Sequence, residues 1–217
     1  MKQKSLVITI AIMLLAMYSF AQLRDIDGNT YKTISLGLQE WMTENLNVGH
    51  FRNGDIIPEV RTDEEWRKAL AEHKPVYCYY NDFSGYGRTY GKLYNWYAVN
   101  DSRGLAPDGW RVPTDFQWTA LVAQLGGNTV AGSKMKSRWG WNDNGNGTNE
   151  SDLTFLPGGH RNIDGTFSGV EGEGCWWSST ESNTKDAWTF SLNSFDGSSS
   201  RNSSFKGLGF SVRCFKN

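Results

Sequence analysis

Ten tryptophans share this chain with 24 glycines, and no other feature constrains the fold as much. Indole rings demand burial, while frequent glycine interrupts the long helices that would carry them in a helical bundle. The expected molecule is loop-rich, with an aromatic core assembled from short segments. Charge adds one exclusion. The 22 Lys+Arg stand against 23 Asp+Glu, a balance that argues against a nucleic-acid binder working through phosphate contacts.

Residues 1–21 read as a cleaved signal peptide. Lys2 and Lys4 precede an apolar run from Leu6 to Met17, and Ser19 and Ala21 put small side chains where a signal peptidase reads them. The run is too short to span the ~30 Å hydrocarbon core of a bilayer, and no other stretch is a spanning candidate. No Cys follows Ala21, so a lipoprotein anchor is not expected. Export to the periplasm, cell surface or medium is the expectation, with residues 22–217 forming one domain.

Three cysteines then enter an oxidising compartment, where one disulfide and one spare thiol is the simplest arithmetic. Cys78–Cys214 is the expected pair, because closing the longest loop constrains the unfolded chain most, by about 4–5 kcal/mol on the entropic account. Cys175–Cys214 is the rival. No cysteine lies in a CxxC or beside a histidine, so a zinc site is not expected.

Along the chain, Asp25 to Leu46 reads as a hairpin turning at Asp27-Gly28-Asn29. Thr62-Asp63-Glu64-Glu65 and Thr114-Asp115-Phe116-Gln117 are capping boxes, each opening a helix, the first carrying Trp66 and Leu70 and the second Trp118, Leu121, Val122 and Leu125. Tyr77 to Tyr80 reads as a brief strand and Tyr90 to Val99 as a further helix. From Gly126 to Gly174 the expectation is long ordered loops without regular elements. Cys175 to Ser179, Ala187 to Asn193 and Gly209 to Phe215 read as short closing strands. The fold class is therefore α+β, with an N-terminal hairpin, two main helices, a long loop region and short antiparallel closing strands.

Two stretches carry candidate sites. Asn142, Asp143, Asn144, Asn146 and Asp152 bring oxygen ligands into a glycine-rich bend suited to calcium. Leu153 stands where an EF loop needs Glu, and an Asx-turn loop without an ion is the alternative. The hairpin at residues 193–206 mixes rigid aromatics with small polar groups, as paratopes do. Asn193, Phe195, Asp196, Arg201, Asn202 and Phe205 are its candidate ligand contacts, provided that Trp188, Phe190 and Leu192 face the core. The alternative is a solvated loop. His50, His73 and His160 read as surface or packing residues, and Glu171 and Glu173 as loop acids rather than a glycosidase pair.

"DIDGNTYKTISLGLQEWMTENL", "YGKLYNWYAV", "GWRVPTDFQWTAL", "LPGGHR", "WWSSTE" and "GFSVRC" resemble, in order, the signatures of the Fibrobacter succinogenes major paralogous domain. The resemblance covers Asp25 to Phe215. It implies a C-type lectin-like fold, similar to that of the sulfatase-modifying group, and implies little about activity. The chain departs from the family pattern at Ala106, Arg111, Asp152-Leu153 and Cys175, and lacks the C-terminal cysteine pair of the formylglycine-generating enzymes. The expected function is a non-catalytic binding module for a glycan or a protein surface. A structural envelope component, or an enzyme of the sulfatase-modifying type, is the alternative.

Overall fold

The computed structural model describes residues 22–216, so the leader read over residues 1–21 lies outside them. The architecture is α+β and mostly sheet. The described residues open with β1 (Leu23–Arg24) and β2 (Thr30–Tyr31), then β3 (Thr33–Leu36) and β4 (Gln39–Met42). The single hairpin expected here is thus two. Asp25 folds the first turn, its Oδ1 accepting the N–H groups of Asp27 and Asn29. Gly37, at φ 62°, supplies the left-handed residue of the second.

Both capping boxes form. Thr62 and Glu65 cap α1 (Asp63–Ala71), which buries Trp66 and Ala69. Next come β5 (Tyr77–Cys78), α2 (Gly87–Tyr90), β6 (Leu93–Tyr94) and α3 (Trp96–Val99). The helix expected over Tyr90 to Val99 is therefore broken. Gly91 has φ +74°, and a Cβ there would lie 2.7 Å from the Leu46 carbonyl oxygen. Asn95 then caps α3 by accepting the Ala98 N–H, while β6 pairs with β5. The wide apolar face over Tyr90–Val99 reflects burial on all sides, which periodicity does not distinguish from a helix.

Thr114 and Gln117 cap α4 (Asp115–Gln124), and α5 (Asn128–Met135) follows. The latter, together with β7 (Gly158–Arg161) and β8 (Phe167–Val170), lies in the stretch expected to lack regular elements. Its sequence is weakly helical, and a tertiary contact holds it. Gly132 lets the Ser198 backbone approach so closely that a Cβ would meet its carbonyl oxygen at 2.2 Å.

The chain closes with β9 (Glu173–Glu181), β10 (Asp186–Asn193), β11 (Ser200–Phe205) and β12 (Phe215–Lys216). A five-stranded sheet runs β11-β10-β9-β7-β8, antiparallel except where β7 meets β9, and β12 joins β4 and β3 in a second sheet. The strand expected over Gly209–Phe215 is largely a series of single bridges. Gly209 pairs with Arg161, Phe210 with Tyr94 and Ser211 with Trp176.

Eight of the ten tryptophans are buried. One cluster gathers Trp41, Trp118, Trp176, Phe155 and Phe190, with Trp118 stacked on Phe190 at 4.7 Å between ring centroids. A second surrounds Trp177, Tyr94, Phe210 and Cys214, and a third Trp66, Tyr80 and Cys78. Burying a ring of this size contributes roughly 4–6 kcal/mol as an upper bound.

The expected Cys78–Cys214 disulfide is absent, and all three cysteines are free. Cys78 and Cys214 sit in different apolar clusters, where each fills space as a small hydrophobe.

One polar node joins distant segments. The Asn45 side-chain oxygen accepts from Trp176 Nε1 at 2.8 Å and from Arg213 Nε and Nη2 at 3.1 and 2.9 Å. Asn45 Nδ2 donates to the Tyr90 carbonyl, and Arg213 Nη1 to those of Met42 and Leu153.

Replacing Asn45 with Ala orphans a buried indole N–H and strips a buried guanidinium of its side-chain partner. We expect a loss of about 3–5 kcal/mol in urea unfolding; an unchanged midpoint would refute the node's role. Alkylation of denatured, unreduced protein is expected to label three thiols, whereas a disulfide would leave one.

Candidate binding site

The hairpin read from the sequence forms the edge of the five-stranded sheet, where β10 and β11 pair from Ser191↔Ser200 to Asp186↔Phe205. Its tip is shaped by its own side chains. Asn193 Oδ1 accepts the N–H groups of Phe195 and Asp196, and Asp196 Oδ1 accepts the Ser198 backbone N–H and hydroxyl O–H. The Ser198 bonds hold the Asp196 carboxyl below the usual carboxylate range. Phe195 stands 80% exposed between them.

Further along β11, Arg201 grips Asp115 of α4 in a bidentate pair at 2.6 and 2.9 Å. Its guanidinium also lies 3.3 Å from the centroid of the Trp188 ring. The Asp115 carboxylate raises the Arg201 pKa. Asn202 Nδ2 donates to Ser191 Oγ, and half-buried Phe205 lies at the far end of the strand from the tip.

The expected alternation holds for Phe190 and Leu192, which are buried, but not for Trp188, which is half-buried, or Thr189, which is 4% exposed. A register shift between Ala187 and Thr189 resets the pattern. A groove of about 90 Å3 separates the hairpin from α4, lined by Asp115, Trp118, Asn128, Ser199 and Arg201.

The Asn-rich loop packs onto the same hairpin tip. A Cβ on Gly145 would meet the Ser194 carbonyl oxygen at 2.2 Å. Asn146 Oδ1 accepts the Trp141 N–H, Gly145 donates to the Asn142 carbonyl, and Asp143 and Asn144 have φ of 54° and 58°. The buried Lys136 ammonium donates to the carbonyls of Asn193 and Asp196 at 3.0 and 2.7 Å. Backbone contact and one lysine thus join loop and hairpin. Asp152, the fifth residue assigned to calcium, instead lines a different cleft.

That cleft escaped the sequence reading. It encloses about 470 Å3, with Lys32, Glu44, Arg88, Trp139, Asp152 and Thr154 among its walls. Trp139 is 52% exposed. Glu44 is fixed by accepting the Lys32 N–H at 2.8 Å, and Thr154 by a two-point bond with the Asn149 amide. The one local signal is Trp139 between Arg138 and Gly140, a tryptophan in a segment with few apolar neighbours.

Titratable groups elsewhere are placed as follows. His50 faces Asp27, and His73 packs on Tyr97. Burial pushes the Cys78 and Cys175 thiols up to about 12, and that of Cys214 higher still. A nucleophilic thiolate needs the opposite shift.

Replacing Asp115 with Ala releases Arg201 from a half-exposed pair. The expected cost is about 1 kcal/mol or less in urea unfolding; a loss several times larger would show that the pair supports the fold instead.

A comparison with curated proteins returns no match. The sequence matches the family model of the Fibrobacter succinogenes major domain over residues 34–216, from the second strand pair to the closing strand. The chain therefore belongs to the Fibrobacter succinogenes major domain family.

Proposed function

We propose that this protein is an exported, non-catalytic binding module of C-type lectin-like architecture that takes a glycan in the cleft beside Trp139. The half-exposed indole of Trp139 carries this reading. It stands over a concave wall that also presents Glu44, Arg88, Asp152 and Thr154. An aromatic plane covers the apolar face of a sugar ring, while carboxylates, a guanidinium and a hydroxyl meet its hydroxyl groups. Export rests on the leader pattern of residues 1–21. Among the described residues, no helix is long and apolar enough to cross a membrane.

A second reading, a protein surface engaged by the hairpin at residues 193–206, is favoured by Phe195, 80% exposed. The Trp188–Arg201–Asp115 stack further along the paired strands is already ordered. Its polar groups are largely engaged with one another, which leaves fewer free donors and acceptors for sugar hydroxyls than the cleft offers.

The test is a glycan-array screen of residues 22–217, run with calcium and with a chelator. Calcium-independent hits are expected, weakened by ~10-fold or more, about 1.4 kcal/mol, when Trp139 is changed to Ala. They should be unaffected by Phe195→Ala. Hits lost with Phe195→Ala and kept with Trp139→Ala would move the site to the hairpin. Hits needing calcium and lost with Asp143→Asn would move it to the Asn-rich loop. A blank array in both conditions would overturn the glycan reading.

A further inference from the structure

We infer that His160, Glu173 and Cys175 form a binding site for a zinc-class divalent cation, separate from the cleft and the hairpin. The sheet assembles it. The parallel pairing of Gly159 with Gly174 sets His160 of β7 beside Cys175 of β9, and Glu173 and Cys175, two residues apart, share one face of that strand. One ligand atom from each of the three residues lies within 4.8 Å of the others.

Three further observations point to a ligand there. His160 Nδ1 is buried and has no hydrogen-bond partner, an uncommon condition for a buried ring nitrogen. It lies 3.6 Å from Glu173 Oε2, too far for a hydrogen bond. That distance is close to the roughly 3.4 Å that separates nitrogen and oxygen ligands on one tetrahedral zinc. Finally, Gly169 of β8, at φ +79°, keeps the space over the pair clear. A Cβ there would stand 3.1 Å from Glu173 Oε2 and 3.3 Å from His160 Nδ1.

The donor set names the cation class. One imidazole, one thiolate and one carboxylate suit zinc or cobalt, whereas calcium and magnesium take oxygen ligands. Binding displaces the Cys175 thiol proton to solvent. Three protein ligands leave a fourth tetrahedral position for water. The Glu173 side chain is 45% exposed, so the cation enters from solvent. The Phe210 ring meets the imidazole edge-on at 5.9 Å and holds its plane.

The test uses purified residues 22–217, stripped of metal by a chelator and titrated with cobalt(II). One equivalent is expected to produce a thiolate-to-cobalt absorption band that zinc displaces. The band should vanish in Cys175→Ser and persist in Cys78→Ala. Glu173→Gln, at a half-exposed position that the fold tolerates, should weaken zinc by more than the ~10–100-fold typical of outer-shell changes. One equivalent of zinc should also raise the thermal midpoint of the native chain and leave that of Cys175→Ser unmoved. No thiolate band, or a band retained in Cys175→Ser, would overturn the site.

Discussion

A single amide oxygen, that of Asn45, holds together parts of this protein that no local interaction could join. It takes hydrogen bonds from the central-sheet indole of Trp176 and from the guanidinium of Arg213 near the C-terminus. Arg213 is buried, and burial lowers its pKa to about 9. A charge removed from water must be met by oriented dipoles. The carbonyls of Met42 and Leu153 and the ring of Phe155 complete that set. Cleft and core therefore share a support, because Asn45 and Arg213 also line the cleft that holds Trp139.

A second buried guanidinium plays the same part on the other side. Arg161 reaches the carbonyls of Gly165 and Val60 and the Asp82 carboxylate, and lies over the rings of Trp66 and Phe167. It fastens α1 to the sheet strand that also carries His160. In a fold with short strands and irregular connections, such side-chain anchors take over work that long ladders of backbone hydrogen bonds do elsewhere. Glycine permits them. At Gly132, Gly145 and Gly147 a Cβ would collide with backbone within 2.6 Å, so loops can press onto one another directly.

How much was legible in the sequence follows the range of each interaction. The capping boxes at Thr62 and Thr114 were readable because a cap is settled within four residues. The strand over Ala187 to Asn193 and the polar hairpin at residues 193–206 were readable from local composition, but the alternation failed at Trp188 and Thr189, where the pairing of β10 with β9 shifts register. α5 and β7 were not, because Gly132 and Gly159 earn their places through contacts with residues far along the chain. The same holds for the sites. Phe195 and Arg201 could be named from local composition, but Arg201's partner Asp115 is 86 residues distant. The cleft draws on separate stretches around Lys32, Arg88, Trp139 and Asp152. No cysteine adjoins a histidine in sequence, yet a parallel strand pairing places Cys175 against His160.

By itself, the sequence determined that the chain must bury an aromatic core on short elements, where two helices begin, and which family signatures it carries. These depend on composition and on contacts between near neighbours. Only the tertiary structure decided that the cysteines stay unpaired, that a lone exposed tryptophan overlooks a polar cleft, and that three scattered ligands converge on one sheet face. Those outcomes depend on strand register and on glycine-mediated approach between distant segments, and a register shift of one residue would send each side chain to the opposite face.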